Sequence, residues 1–350
     1  MIRKIAILLA VIFIFPAENS SLAGLSKRSE VNVKMMTDQA DAVLSILEKR
    51  ARKQTVSEPD WKRLFESEGY LRLKKREHSL GRRFEDSEFR LFVTSEELLS
   101  KRTRLRETVA KWKTADVRKT ASMALEYLPE NAAISAKIYP VIKPRSNSFV
   151  FEIKTDPAIF LYVDPEVELP KFENTLTHEL HHIGFGSACP DKETAKQIES
   201  LPKDSQNVLK WLGAFSEGFA MLAAAGGPEV DPHKFSAEED RKRWEKDVSN
   251  FNNDLKDVED FLIDLSEGKL DQDAEIDKAR SFYGIQGPWY TVGWKMSAVI
   301  EKSLGRKELI KCMCSNQLLL STFNKAAGKY NKESGEELRL WTDSLIEKLR

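Results

Sequence analysis

A histidine pair four residues apart, His178 and His182, with Glu179 next to the first, sets the tightest constraint on how this chain can fold. On an α-helix, positions i and i+4 lie one above the other on one face. Two imidazoles so placed can bind a single zinc ion without distorting the backbone. Glu179 then sits where it can accept a proton from a zinc-bound water. The flanks predict a helix opened by Pro170 and closed by Gly184 and Gly186. Phe172, Leu176, Leu180 and Ile183 recur at helical spacing and are expected to pack inward, away from the metal.

A catalytic zinc takes three protein ligands and keeps one position open. A metzincin continuation requires Gly at 185 and His at 188, where the chain has Phe185 and Ala188. A deformylase-type site requires an upstream cysteine, and none precedes Cys189. The gluzincin solution, a glutamate from a following helix, fits Ser216-Glu217-Gly218-Phe219-Ala220 inside the apolar run 208–225. An acid among Phe215, Phe219, Met221 and Leu222 is costly to bury unless it is paired or bound to metal. The small residues Gly218, Ala220 and 223–225 are expected to let this helix approach the first one closely.

Thr177-His178-Glu179-Leu180-His181-His182-Ile183-Gly184-Phe185 and Ser216-Glu217-Gly218-Phe219-Ala220-Met221-Leu222 together resemble a bacterial family of zinc-dependent peptidases of gluzincin type. The likeness runs from about residue 35 to the C-terminus, through Gly287-Pro288-Trp289-Tyr290-Thr291-Val292-Gly293-Trp294. That family's function is itself inferred from the motif, so the resemblance implies the metal site and says nothing of substrate. By resemblance, Tyr290 and Tyr283 are the phenols placed to stabilise an oxyanion, a task zincins often give to a Tyr or His donor.

Residues 1–23 read as a secretory signal peptide: Arg3 and Lys4, an apolar core from Ile5 to Phe15, and Ser21-Leu22-Ala23 before cleavage at Gly24. An uncleaved N-terminal anchor is the alternative. Export implies a secreted or periplasmic protein without stable membrane insertion once the signal is removed. A formal net charge of zero provides no global field toward nucleic acid or anionic membrane. Residues 24–130 read as a helical N-terminal region. Met36, Ala40, Val43, Leu44 and Leu47 follow a helical period, and Trp61, Leu64, Phe65 and Tyr70 form a second apolar group. The basic excess of 96–113 is read as the solvated faces of helices.

Residues 131–350 read as a zincin-like catalytic region. Ala136–Ile142, Ser148–Ile153 and Ala158–Val163 predict three short strands before the zinc helix, and either of the last two could form a substrate-binding edge. His233, in a loop, is a second candidate for third ligand or for a hydrogen bond to the intermediate. Capping boxes are expected at Ser236/Glu239 and at Ser334/Glu337, the latter opening the last helix. Trp244, Val248, Phe251, Leu255, Val258, Leu262 and Leu265 predict one continuous helical seam. Cys189 is expected to pair with Cys312 or Cys314, leaving one thiol over.

The sequence therefore predicts an α+β, mainly helical fold of zincin type, with a short sheet preceding the zinc helix. His178, His182 and Glu217 are the expected Zn2+ ligands. Glu179 is the expected general base and Tyr290 the oxyanion donor, acting on a peptide or protein substrate. A catalytically silent, zinc-containing peptide-binding or envelope scaffold protein is the alternative, and an intact Glu179 argues against it.

Overall fold

A computed structural model describes residues 30–349; the signal peptide read over 1–23 lies outside the described residues. The chain forms two compact units, one holding residues 32–119 and 135–176, the other 120–134 and 177–349.

The first unit opens with strand β1 (Val31–Met35). Helices α1 (Asp38–Ala51), α2 (Glu58–Phe65), α3 (Glu68–Ser79), α4 (Asp86–Val93), α5 (Glu96–Ser100) and α6 (Arg102–Trp112) follow, and α7 (Val117–Leu125) carries the chain from residue 120 into the other unit. Then come β2 (Ile134–Val141), β3 (Phe149–Phe151) and β4 (Ala158–Tyr162). The four strands form one sheet in the order β1-β2-β4-β3. β2 and β4 run parallel with Ile138 opposite Ile159, while β3 and β4 run antiparallel with Phe149 opposite Phe160. Three strands were expected and four are found. β1 is five residues long, half-buried, and joined to a strand a hundred residues away, so no local pattern announces it. Of the two segments proposed as an edge, β4 is interior, and only β3 lies at the margin.

Packing explains why this sheet forms. Tyr139, Phe160 and Phe149 stack in sequence at 4.9 Å spacing on one face, over Leu73 of α3. Gln39 in α1 holds the end of β2 through both amide atoms, donating to Ile142 O at 2.8 Å and accepting from Ile142 N–H at 3.0 Å. The basic residues of 96–113 are spent on carboxylates: Lys101 on Glu97, Arg102 and Arg106 on Glu48, Arg104 on Glu166, Lys111 on Glu168, Lys113 on Asp41.

The motif helix α8 (Leu169–Ala188) contains the boundary between the units, after Leu176. It is followed by α9 (Lys192–Glu199), α10 (Lys203–Leu212), a 3-10 turn (Gly213–Phe215) and α11 (Ser216–Ala225). Next are α12 (Glu238–Ser249), α13 (Phe251–Ser266), α14 (Gln272–Ser281), α15 (Pro288–Leu304), α16 (Arg306–Cys314), α17 (Asn316–Ser334) and α18 (Asp343–Glu347). α15 is the buried axis of the second unit: Trp289, Val292, Met296, Val299 and Ile300 lie in a core shared with α10, α13, α16 and α17.

Several local expectations are corrected here. Gly184 and Gly186 do not end the motif helix, which continues to Ala188. Gly184 is instead a packing position, because a Cβ there would stand 2.4 Å from Leu128 Cδ1. The seam from Trp244 to Leu265 is buried but not continuous; it breaks at Asn250 between α12 and α13. Ser236 does not cap α12, whose N-cap is Ala237, because the Ser236 hydroxyl is engaged by His233 Nδ1 at 3.0 Å. Ser334 ends a helix rather than starting one, since Gly335 turns the chain out at φ +73°. Residues 335–342 form neither helix nor strand, and Leu338, Trp341, Leu345 and Leu349 are buried.

Candidate metal centre

Phe172, Leu176, Leu180 and Ile183 are all buried, at roughly 1.5–3 kcal/mol of burial each. That apolar stripe fixes the rotation of α8 and leaves His178, Glu179 and His182 on another face. Glu217 arrives from the second residue of α11 and is almost fully buried. His178 Nε2 lies 3.1 Å from His182 Nε2 and 3.2 Å from Glu217 Oε2; His182 Nε2 lies 3.3 Å from the same oxygen.

Three lone-pair atoms thus converge on one point. Ligands about 2.0–2.1 Å from a tetrahedral zinc stand about 3.3 Å from one another, close to the separations here. The donor set therefore fits zinc. Among the described residues, the group able to hold a metal consists of these three side chains, and His233 is not in it.

Residues 60–332 match the family described as "Putative zinc dependent peptidase (DUF5700)". The chain belongs to the DUF5700 family. No curated protein and no solved structure matches it.

The electrostatics of this DUF5700 site follow from its burial. Burial pushes the Glu217 carboxyl up, but His182 and His178 outweigh it and hold the group far below the usual carboxylate range. Burial pushes His182 down, yet Glu217 leaves it raised. Glu179 is buried and pushed up to about 7, mainly by desolvation, with Glu217 adding to the rise and His182 opposing it. Its Oε1 makes no hydrogen bond.

Both phenols feel the Glu217 charge. Tyr290 is buried in α15, near enough to Glu217 for the carboxylate to act on its phenol. Burial, then Glu217 and Glu179, push that phenol well above its ordinary range. Tyr283 packs edge-on to Tyr290, with ring centroids 6.5 Å apart. Burial and the Glu217 charge push it up as well. His233 is held to Asp231 and Ser236, and its ring tilts over Trp244 at 4.9 Å, which in turn packs with Met221 and Tyr290.

Tyr290 reaches Glu217 because α11 and α15 cross at two glycines. A Cβ on Gly218 would lie 2.0 Å from Trp294 N and 2.5 Å from Tyr290 O; one on Gly293 would lie 2.8 Å from Phe215 O. The small residue at 218 therefore serves the approach of α15, a helix whose part the sequence reading missed. The signal available was Gly293 in the aromatic cluster. His181 also went unassigned. It is fully buried, edge-on to Phe219 at 4.6 Å, and desolvation, with His182 and His178, holds it well below its ordinary value.

Of the two disulfides left open, Cys189–Cys314 forms, tying the end of α8 to the end of α16. Cys312 stays a buried thiol, donating to Leu309 O at 3.2 Å and pushed up to about 12 by burial.

Proposed function

We propose that this protein is an exported zinc peptidase of gluzincin type and zincin-like fold, with His178, His182 and Glu217 holding the metal. The convergence of those three ligand atoms beside a buried, unpartnered Glu179 oxygen carries the reading. The mixed sheet before α8 and the glutamate helix after it follow the chain order of a zincin. A disulfide suits an oxidising compartment outside the cytoplasm.

When bound, zinc supplies a Lewis acid that acidifies a water and polarises the carbonyl of a peptide substrate. Glu179 takes the proton of the attacking water through its free carboxylate oxygen and returns it to the leaving amine. Tyr290, beside Glu217, orients that carboxylate, as outer-shell partners of metal ligands do. Tyr283, the second phenol near the site, donates to the carbonyl oxygen as negative charge develops on it. This divides between two residues the donor role read for Tyr290 in the sequence.

Glu179→Gln keeps the side-chain shape and removes the base. Zinc content should stay near one per chain, while hydrolysis of a peptide library falls by about 10²–10⁴-fold. If wild type cleaves no library member, and both forms bind one partner equally, the silent scaffold reading replaces this one.

A further inference from the structure

The segment after α17 is bound to its own protein in the manner of a peptide ligand. Asn252 in α13 donates to Glu337 O at 2.8 Å and accepts from Arg339 N–H at 2.7 Å. Asn331 in α17 does the same for Leu338 at 3.0 and 3.1 Å, and Asn324 for Trp341 at 2.8 and 2.9 Å. Glu259, buried in α13, accepts from Thr342 N–H at 2.7 Å and from the Arg339 guanidinium at 2.9 Å. Each amide side chain offers one donor and one acceptor, so it completes a backbone pair as a neighbouring strand would. Four polar side chains from two helices thus fix residues 337–342, which lie outside any helix or strand.

The clamp delivers Trp341. Its ring lies 6.1 Å from that of Phe215, which meets Trp289 on its other contact at 5.0 Å and 75°. Phe215 ends the 3-10 turn and is the N-cap of α11, two residues before Glu217. Trp289 precedes Tyr290, whose phenol feels the Glu217 charge. Phe215 therefore sets where α11 begins, and it is held between one tryptophan of the clamped segment and one of α15.

We propose that Trp341 is a positioning residue for Glu217: the clamped segment wedges its indole against Phe215 and so fixes the start of the helix that carries the third metal ligand. The proposal rests on reading Glu217 as a zinc ligand. The Trp341 indole N–H is buried and makes no hydrogen bond, so the ring acts here by shape rather than as a donor.

The test compares Trp341→Ala, Trp341→Phe, Asn324→Ala and Leu345→Ala, the last removing an equally buried side chain from α18. Zinc affinity is read by chelator competition at a temperature where circular dichroism shows each variant folded. Trp341→Ala should lose at least about tenfold in zinc affinity, as when an outer-shell support of a metal ligand is removed. Trp341→Phe should restore it to within about threefold, and Leu345→Ala should stay within the same range despite lower stability. If Trp341→Ala does not fold, Asn324→Ala stands in for it, since it frees the backbone of Trp341 while leaving the indole present; a loss of zinc affinity is again required. Wild-type affinity in the folded variant, or equal losses in the Trp341 and Leu345 variants, would overturn the proposal. Because zinc binding is read without hydrolysis, failure of every variant to cleave peptides would count against the peptidase reading alone.

Discussion

Gly218→Ala is the sharpest perturbation of the site that leaves every polar group in place. The added methyl would stand 2.0 Å from Trp294 N, 2.3 Å from Gly293 C and 2.5 Å from Tyr290 O, all backbone atoms that no rotamer change can move aside. Ordinary contact begins at 3.4 Å, so α11 and α15 must part by about 1.4 Å at the crossing. Overpacking of this kind costs about 1–3 kcal/mol, and a gain of about 1 kcal/mol from alanine's better helix propensity offsets part of it. The larger effect falls on the site, because the same separation draws Tyr290 away from Glu217. A misplacement near 1 Å can cost about 10²-fold in rate. Thermal melts, chelator competition for zinc and peptide hydrolysis read the three consequences separately. Gly186→Ala is the control: that glycine is exposed on α8 and a Cβ there meets nothing within 4 Å, so it should be neutral or stabilising by up to about 1 kcal/mol. If Gly218→Ala melts with wild type and binds zinc as tightly, the glycine crossing does not set the Glu217–Tyr290 pair.

Three further outcomes follow from the geometry. Tyr290→Phe should weaken zinc about tenfold or more by releasing Glu217, whereas Tyr283→Phe should leave zinc content unchanged and lower kcat; the reverse pattern would exchange the two roles. Cys312, buried and pushed up to about 12, should resist a thiol reagent in the native protein and yield one reactive thiol per chain on denaturation without reductant. Lys143 is buried, and desolvation chiefly lowers its amine from 10.5 to about 7, with Arg76 and Arg145 adding to this and Glu77 opposing it. The unfolded chain then holds a proton that the folded chain lacks between about pH 7 and 10.5, so this contribution to stability rises with pH across that window, by at most about 1.4 kcal/mol per pH unit. Urea melts of wild type and Lys143→Met at pH 7 and 9 should show a rise in wild type that the variant lacks.

The parts of this protein legible in its sequence are those whose causes are local. His178 and His182 share a face because of helical spacing alone, and the apolar stripe from Phe172 to Ile183 needed only the same period. Glu217 could be singled out because an acid in an apolar run demands a partner, and it lies beside both imidazoles. Start and stop signals served less well. Ser236 and Ser334 each carry the pattern of a cap, but one hydroxyl is taken by His233, and at the other Gly335 and the asparagine clamp turn the chain out of the helix. The strand β1, the choice of Cys314 over Cys312, and the placing of Tyr290 and Tyr283 near Glu217 all depend on which distant segments meet. So does the crossing of Gly218 with Gly293, 75 residues apart in the chain. Helical spacing is set by bonds within one turn and can be read from neighbours. The approach of two helices is set by the summed packing of both, and only the folded chain decides it.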